Sequence, residues 1–324
     1  MTTTLPWQSC MGAQRDWVWR GWQTRYSFST KGADPNRPPM LFLHGFGASI
    51  GHWKHNLPFF SEHHAVYALD LLGFGGSEKA NTNYNAASLW AEQVYDFWRT
   101  FIKVPVILVG NSLGSLVSLI AAARYPQMVR ATAMINLPDS SVLESPVWLT
   151  KGLSLLKTGL FPALWVTKSI FTSSPVFNPF FRWIRQPSVI RFWVKKAYAN
   201  PDAVTDELVD ILVNPTHDRG AARALKAMFI AKPTLNDEYL AKSILPRLTI
   251  PMLLIWGKQD MLVPPKLAPL FVRYNEALQL VELDNAGHCP QDECPGVVND
   301  AIATWIRHWL PKAQPVGYDK KLRA

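Results

Sequence analysis

The sequence of 324 residues has only three cysteines, Cys10, Cys289 and Cys294, an odd number that cannot form a complete disulfide framework. Its first residues lack the basic and apolar regions of a secretory signal, and no run reaches the roughly 18 uncharged apolar residues of a membrane span. We therefore expect a reducing, cytoplasm-like compartment and no transmembrane segment. Low-complexity tracts and repeats are also missing, and 48% hydrophobic with 18% charged residues is typical of a globular chain.

Acidic residues are absent from residues 145–200. The cations of this stretch account for most of the formal net charge of +9: Lys151, Lys157, Lys168, Arg182, Arg185, Arg191, Lys195 and Lys196. Large aromatic residues are interleaved with them: Trp148, Phe161, Trp165, Phe171, Phe177, Phe180, Phe181, Trp183, Phe192, Trp193 and Tyr198. This composition suits peripheral contact with an anionic membrane surface, and it equally suits amphipathic helices that pack on a main domain. Because the cations lie among large apolar residues and no recognition fold is visible, we expect no nucleic-acid partner.

Short apolar runs alternate with helical patterns along much of the chain. The runs cover residues 40–44, 65–71, 106–110, 131–137, 251–257 and 278–283. Continuous apolar runs separated by helices predict a mostly parallel sheet covered on both faces, an α/β fold. Residues 16–30 alternate apolar and polar side chains, which predicts an antiparallel strand pair before this sheet.

The alternation stops between residues 137 and 251, where the sequence is helical and rich in proline joints. We therefore predict four parts. Residues 1–137 form the first part of an α/β core, 138–248 an inserted helical cap, 249–311 the second part of the core, and 312–324 a loose tail.

The polar pair Asn111-Ser112 follows one predicted strand and has a glycine on each side, in the sequence Gly110-Asn111-Ser112-Leu113-Gly114. Gly-x-Ser-x-Gly between a strand and a helix is the signature of a nucleophile elbow, in which a tight turn exposes a strained serine. The motif has neither the lysine of a phosphate-binding loop nor the glycine spacing of a dinucleotide fold. We predict that Ser112 is a nucleophile.

A serine hydroxyl needs a general base, and the base needs an orienting acid. In this architecture the acid and then the histidine follow the serine along the chain. Asp260 and His288 each come after a predicted strand and are the expected acid and base. Asp139, which follows an earlier strand, remains an alternative acid.

We predict structural or surface positions for the remaining histidines. His44 follows a strand and precedes glycine, so we expect it to order its loop. The others lie in polar or helical surroundings and are expected at the surface: His52, His55, His63, His64, His217 and His308.

Attack on a carbonyl places negative charge on oxygen, which preorganised N–H groups must stabilise. The backbone N–H of Leu113 at the helix start and that of Phe46 in the loop after the first parallel strand are the expected oxyanion donors. This chemistry requires no metal and no organic cofactor.

The ordered motifs HGFG, DLLGFGGSE, VGNSLGS, WGKQDMLVP and AGHCPQDECP resemble those of the α/β-hydrolase superfamily over roughly residues 38–310, apart from the cap. The resemblance implies an eight-stranded, mostly parallel sheet with the same nucleophile, acid, base and oxyanion donors. It also excludes haloalkane dehalogenases and epoxide hydrolases, which have Asp in place of Ser112.

Two further stretches, HGFGASIGHWKHNLPFF and YNAASLWAEQVYDFW, are similar to the chlorophyll-dephytylating and pheophytin-hydrolysing esterases of photosynthetic organisms, including cyanobacterial relatives. We therefore expect an esterase for a hydrophobic carboxylic ester, with a tetrapyrrole prenyl ester as the more specific hypothesis. The same three catalytic residues also serve thioesterases, lipases, cofactor-free haloperoxidases and carbon-carbon bond hydrolases. A non-catalytic receptor for a small molecule is the hypothesis of another class.

Overall fold

A computed structural model describes residues 6–84, 87–143, 173–231 and 237–309. The predicted tail 312–324 lies outside these residues. So does the part of the predicted cap that contains several of its cations and aromatics: Trp148, Lys151, Lys157, Phe161, Trp165, Lys168 and Phe171.

Eight strands form one sheet in the order β1-β2-β4-β3-β5-β6-β7-β8. Their bounds are Ala13–Trp19 (β1), Trp22–Ser29 (β2), Met40–Leu43 (β3), Val66–Leu69 (β4), Val106–Asn111 (β5), Val129–Ile135 (β6), Met252–Gly257 (β7) and Leu278–Leu283 (β8). The first two strands pair antiparallel, and β2 also pairs antiparallel with β4. The pairs from β4 and β3 through to β8 are parallel. The predicted α/β fold with a mostly parallel sheet is confirmed.

The described α-helices are Leu57–Ser61 (α1), Ser88–Phe97 (α2), Leu113–Arg124 (α3), Ser174–Ile184 (α4), Pro187–Ala197 (α5), Asp206–Val213 (α6), Ala221–Ile230 (α7), Ala241–Ile244 (α8), Ala268–Val272 (α9), Pro290–Glu293 (α10) and Pro295–Trp309 (α11). A π-helix, Trp98–Ile102, extends α2. Short 3-10 helices occupy several loops. None of the helices in the described ranges has the length and apolar character to cross a membrane.

Side chains on the parallel strands alternate between the two faces of the sheet. On β5, Leu108 faces the cluster with helices α2 and α3, whereas Ile107 and Val109 face the cluster with α1 and α11. All are fully buried. Burial of a side chain of this size stabilises the fold by about 1.5–3 kcal/mol, so a strand buried on both faces must be apolar throughout.

The described elements between β6 and β7 are all helical. We call α4 to α7, with the residues that connect them, the cap; the exact domain limits of 138–248 stay a prediction. Two buried core lysines form ion pairs with it. Lys54 Nζ lies 2.8 Å from Glu207, and Lys79 Nζ lies 2.8 Å from Asp218. Breaking a buried pair leaves an uncompensated charge, so these contacts hold the cap against the core.

Candidate active site

Ser112 lies on the sharp turn between β5 and α3. Its backbone has φ 51° and ψ −115°, a left-handed conformation that side chains rarely adopt. The Ser112 N–H donates to Ile135 O at 2.8 Å, and the Ser112 carbonyl accepts from Ser115 N at 2.9 Å. The surrounding sheet and helix therefore maintain a strained residue at the turn.

The two glycines of the motif permit close backbone approaches. A Cβ on Gly114 would lie 2.0 Å from the carbonyl oxygen of Leu43, and one on Gly110 would lie 2.3 Å from the backbone of Gly114. No side chain fits at either position. The requirement for small residues on both sides of Ser112 thus has a direct steric cause.

Asp260 and His288 are brought together, although they are distant in sequence. His288 Nδ1 lies 2.8 Å from Asp260 Oδ2. The other carboxylate oxygen accepts hydrogen bonds from the N–H groups of Leu262 and Val263, at 2.8 and 2.9 Å. Because the ionised carboxylate of Asp260 accepts a hydrogen bond from His288 Nδ1–H, the Nε2 atom of His288 is available as a base.

Burial opposes ionisation of Asp260, but the hydrogen bond and charge of His288, together with donation from Val263 N–H and Asn136, outweigh it. The pKa of Asp260 is therefore lowered below its ordinary value. An ionised carboxylate at this position can orient the imidazole and stabilise its protonated form.

The alternative acid Asp139 makes other contacts. Its carboxylate accepts from Ser141 N–H and from Ala241 N–H, both at 2.7 Å. The bond from Ala241 links the segment after β6 to the start of α8. Among the described contacts, it is Asp260 and not Asp139 that pairs with His288.

Two asparagines that the sequence reasoning missed connect these segments. Asn136, at φ 50°, donates from Nδ2 to Asp260 Oδ2 at 2.5 Å and to Gly287 O at 3.1 Å. Asn111 donates to the carbonyl oxygen of His288 at 3.0 Å. Both asparagines lie at the carboxyl ends of buried strands. A polar residue that ends an apolar run was the available signal.

Asn111 also brings the backbone of His288 close to the turn of Ser112, because Asn111 directly precedes Ser112 and donates to the His288 carbonyl oxygen. The Ser112 hydroxyl makes no hydrogen bond to the described residues. Hydrogen bonds of this kind are often long without substrate and tighten when substrate binds.

Two backbone N–H groups are the candidates for an oxyanion site. Leu113 is the first residue of α3, so its N–H has no partner within the helix. Phe46 lies in the turn closed by Ala48 N–H donating to Gly45 O at 3.3 Å. Within the described residues, neither the Phe46 nor the Leu113 N–H has an acceptor.

His44 orders the loop that carries Phe46. The ring accepts from Leu71 N–H at Nε2 (3.1 Å), so Nδ1 carries the proton and donates to Gly45 O at 2.7 Å. Burial lowers the pKa of His44 to about 4. The imidazole is therefore neutral near pH 7 and acts as a fixed link between backbone groups.

Asp70 joins the same loop to the loop after β4. Its two carboxylate oxygens accept from Ile50 N–H and Gly76 N–H, each at 2.7 Å. Burial raises its pKa to about 6 despite these bonds. A Cβ on Gly75 would lie 2.2 Å from the carboxyl carbon, so glycine is needed there.

The cap contacts the segment of His288 directly. The N–H of His288 donates to Ala197 O, at the end of α5, at 2.7 Å. The next cap residue, Tyr198, donates from its hydroxyl to Asp292 at 2.9 Å and lies 3.0 Å from His52 Nε2. Burial, with Cys289 and Asp292 nearby, raises the pKa of Tyr198 well above its ordinary value.

The prediction that His52 and His64 lie at the surface is wrong, since both are buried. His52 contacts Tyr198, and His64 Nδ1 lies 2.8 Å from Pro38 O. Each ring contacts a polar partner that is distant in sequence, which local polarity cannot reveal.

An apolar cavity of about 370 Å³ lies between the cap and the loops that follow β3 and β4. Phe46 and Phe74 line its core side, with ring centroids 5.2 Å apart, and Trp193 and Met228 belong to its cap side. Ser112 and His288 are not among the described lining residues. Phe46 belongs to both the candidate oxyanion site and the cavity, since its N–H is a candidate donor of the former and its ring lines the latter.

No group of three or more His, Cys, Asp or Glu in the described ranges could hold a metal ion.

The sequence model of the alpha/beta hydrolase fold matches residues 38–295. The chain is 26% identical to chloroplastic pheophytinase of Arabidopsis thaliana, over 88% of this chain and 64% of that protein. It is 23% identical to monoacylglycerol lipase ABHD6 of Homo sapiens, over 90% of this chain and 85% of that protein. The chain thus spans less than two thirds of the length of pheophytinase.

Among solved structures, the chain superimposes on a membrane phospholipase A described as a bacterial virulence factor. The TM-score is 0.70 at 22% identity, with 92% of this chain and 87% of that chain covered. At this identity the likeness concerns the fold alone.

Proposed function

This chain belongs to the alpha/beta hydrolase fold family, and from that premise we propose that it is a serine hydrolase that cleaves a hydrophobic carboxylic ester. The observation that carries the proposal is the buried pair of Asp260 and His288, 2.8 Å apart. The His288 backbone is bound by Asn111, the residue that precedes a serine held at positive φ. In the proposed assignment Ser112 is the nucleophile, His288 the general base and Asp260 the acid that orients it.

In the proposed acylation, Ser112 Oγ attacks the ester carbonyl carbon while its proton passes to His288 Nε2. The carbonyl oxygen becomes negative and accepts hydrogen bonds from the N–H groups of Phe46 and Leu113. One such donor typically lowers the barrier by about 3 kcal/mol. The carbon-oxygen bond to the alcohol then breaks, and the alcohol leaves with the proton from His288.

The resulting acyl-enzyme on Ser112 is released by water. His288 takes a proton from the water as it attacks, and it returns a proton to Ser112 Oγ as the acid leaves. Protein groups perform every transfer in this scheme, so the proposed reaction calls on neither a metal nor an organic cofactor.

The apolar cavity supports a lipophilic substrate. Transfer of an apolar chain from water into such a cavity is favourable by about 0.8 kcal/mol per methylene. Pheophytinase and monoacylglycerol lipase, the relatives described above, bear names of enzymes for lipophilic esters. The more specific proposal is a prenyl ester of chlorophyll or pheophytin.

The cap also supports peripheral contact with an anionic membrane. Trp183, Phe192 and Trp193 expose 51%, 56% and 57% of their surface. Arg182 and Lys195 with Lys196 lie beside them on the same two helices. Exposed aromatics combined with cations suit the boundary between anionic headgroups and acyl chains, where a lipophilic ester would be found.

Covalent labelling tests the catalytic proposal. A fluorophosphonate probe should label the wild type and Ser188→Ala, an exposed serine of α5, and should not label Ser112→Ala. Absence of labelling in folded wild type would favour a receptor.

Esters of p-nitrophenol with chains from acetate to palmitate, run beside chlorophyll and pheophytin, should be cleaved faster as the chain lengthens. Preference for acetate would contradict the lipophilic proposal.

Partition to phosphatidylglycerol vesicles tests the membrane proposal. Neutralising Arg182, Lys195 and Lys196 together to Gln should weaken partition at least about tenfold, because each cation near such a surface contributes about 1 kcal/mol. The matched control neutralises three exposed core cations, Arg130, Lys266 and Arg307. Equal partition of the two triple variants would rule out a specific contact through the cap.

A further inference from the structure

A groove with a large excess of positive charge lies between α4 and α7. It is an open cavity of about 610 Å³, and we call it the cationic groove. The cations that line it are Arg182, Arg185, Arg219, Arg223 and Lys226. Asp218 is the only acidic residue among the described lining residues.

Among the residues that the structure describes, these cations have no ion-pair partner within the groove. The Asp218 carboxylate is already paired with the buried Lys79, whose Nζ lies 2.8 Å away. In the described part of the chain, no carboxylate forms an ion pair with any of the five cations. Arg185 instead lies over the ring of Phe181, 5.8 Å from its centroid. Like charges gathered in one groove repel each other, so an anion that enters it is attracted by several at once.

The cationic groove is continuous with the apolar cavity. Phe181, Arg185, Thr216 and Ala221 line both. Phe46 also lines the apolar cavity, and its N–H belongs to the candidate oxyanion site. The apolar cavity therefore shares residues both with the candidate oxyanion site and with the cationic groove.

We propose that the cationic groove binds the anionic group of an amphiphilic ester whose apolar part occupies the cavity. This inference rests on the proposed ester hydrolysis and narrows its substrate class. It is an alternative to the prenyl ester of chlorophyll or pheophytin, which carries neither a free carboxylate nor a phosphate. The favoured ligand carries a carboxylate or phosphate at the end of its apolar part that is remote from the ester. The planar guanidinium groups of Arg219 and Arg223 match the paired oxygens of either anion.

The catalytic test uses two substrates that differ in one group. Mono-p-nitrophenyl dodecanedioate has a terminal carboxylate, and p-nitrophenyl dodecanoate has a methyl group there. The wild type should prefer the dioate about tenfold in kcat/KM, mostly through KM. Added salt should reduce this preference, because the groove is open to solvent. The double variant Arg219→Gln, Arg223→Gln should lower the ratio toward one.

The matched control removes two exposed cations from the core, with Arg130→Gln and Arg307→Gln. Because it changes the net charge equally, it should retain the preference. A ratio near one in the wild type, or an equal fall of the ratio in the control, would overturn the proposal.

A binding measurement separates this inference from the catalytic one. In Ser112→Ala, tryptophan fluorescence should report tighter binding of monomeric decyl phosphate than of decanol by about tenfold, and the Arg219, Arg223 double variant should lose the difference. If this holds while no ester is cleaved, the proposed function fails and the anion site stands. If esters are cleaved but neither measurement depends on the anion, the anion site alone fails.

Two further ligands distinguish other sources of the anion. Inorganic phosphate should bind much more weakly than decyl phosphate, since it leaves the apolar cavity unused. Equal affinity would mean that the groove takes free anions independently of the cavity. If the double variant affects binding of phosphatidylglycerol vesicles and not of decyl phosphate, the groove is a membrane contact and the proposal is wrong.

Discussion

The two sides of the candidate site are held in different ways. On the oxyanion side, His44 and Asp70 bind backbone groups of the core loops that follow β3 and β4. On the base side, His288 is held by an ionised Asp260 through its side chain and by Ala197 of the cap through its backbone.

The difference concerns both charge and dependence on the cap. Burial leaves the oxyanion side with a neutral imidazole and an acid whose pKa of about 6 lies near the physiological range. The base side keeps a charged acid and needs the cap to complete its hydrogen bonds. We infer that a displacement of the cap would disturb the base before it disturbs the oxyanion site.

The largest expected effect is on the base side, in Asp260→Asn. This change keeps the shape but disturbs the tautomer of His288, and in an enzyme that uses this arrangement it lowers kcat by about 10⁴. Steady-state hydrolysis of a p-nitrophenyl ester measures it. Asp139→Asn is the matched control and should affect stability rather than kcat, since Asp139 binds only backbone N–H groups in the described structure. Equal losses of kcat would mean that the acid has been assigned wrongly.

The next largest effect concerns the backbone turn at Ser112, which lies between the two sides of the candidate site. Gly114→Ala places a Cβ 2.0 Å from Leu43 O, so a strand or helix must shift. We expect a loss of at least about 3 kcal/mol in the free energy of unfolding. Gly296→Ala is the control, because a Cβ there meets nothing within 4 Å. Urea denaturation compares them, and similar stabilities would show that the turn accommodates a side chain.

The sequence was sufficient to predict the sheet because its signal is local. A parallel strand buried on both faces is a continuous apolar run, as residues 106–110 illustrate, and the run appears whatever the neighbouring strands are. Ser112 could be singled out from the sequence for the same reason, since the glycines of its motif lie only two residues to each side. Asp260 and His288 follow predicted strands, and the carboxyl ends of parallel strands meet at one edge.

The rest of the site depends on contacts between distant segments. Asn136 reaches Asp260 across 124 positions. Ala197 supports His288 through a carbonyl oxygen that any residue would supply, so its identity carries no signal. The burial of His52 depends on Tyr198, which belongs to the cap. Such contacts become visible only once the chain is folded.

The pH dependence of stability should separate His44 from Asp70. The folded pKa of His44 is about 4 against an ordinary 6.5, so its contribution is complete above pH 6.5 and is lost as the pH falls toward 4. The folded pKa of Asp70 is about 6 against 3.8, so folding is favoured when this acid takes up a proton between pH 6 and 4. On acidification the His44 contribution lowers the free energy of unfolding and the Asp70 contribution raises it. Each amounts to at most about 3 kcal/mol.

Asp70→Asn should therefore lose stability more steeply than the wild type on acidification from pH 6 to 4, and His44→Asn should lose it less steeply. Urea midpoints at several pH values measure the slopes, which are independent of each variant's overall loss of stability. Parallel slopes in all three proteins would contradict the assignment of these protonation states.

The smallest expected effect tests the dependence of the base on the cap. Tyr198→Phe removes the hydroxyl that contacts Asp292 and His52, and we expect kcat to fall about tenfold with KM nearly unchanged, because the residue positions the His288 segment without lining the cavity. Tyr84→Phe is the matched control, since it removes a buried core hydroxyl that donates to Ala80 O at 2.9 Å. Both variants should lose about 1 kcal/mol of stability, as expected for one buried hydrogen bond. A fall in kcat confined to Tyr198→Phe would tie the base to the cap, whereas equal kcat in the two variants would mean that the core alone positions His288.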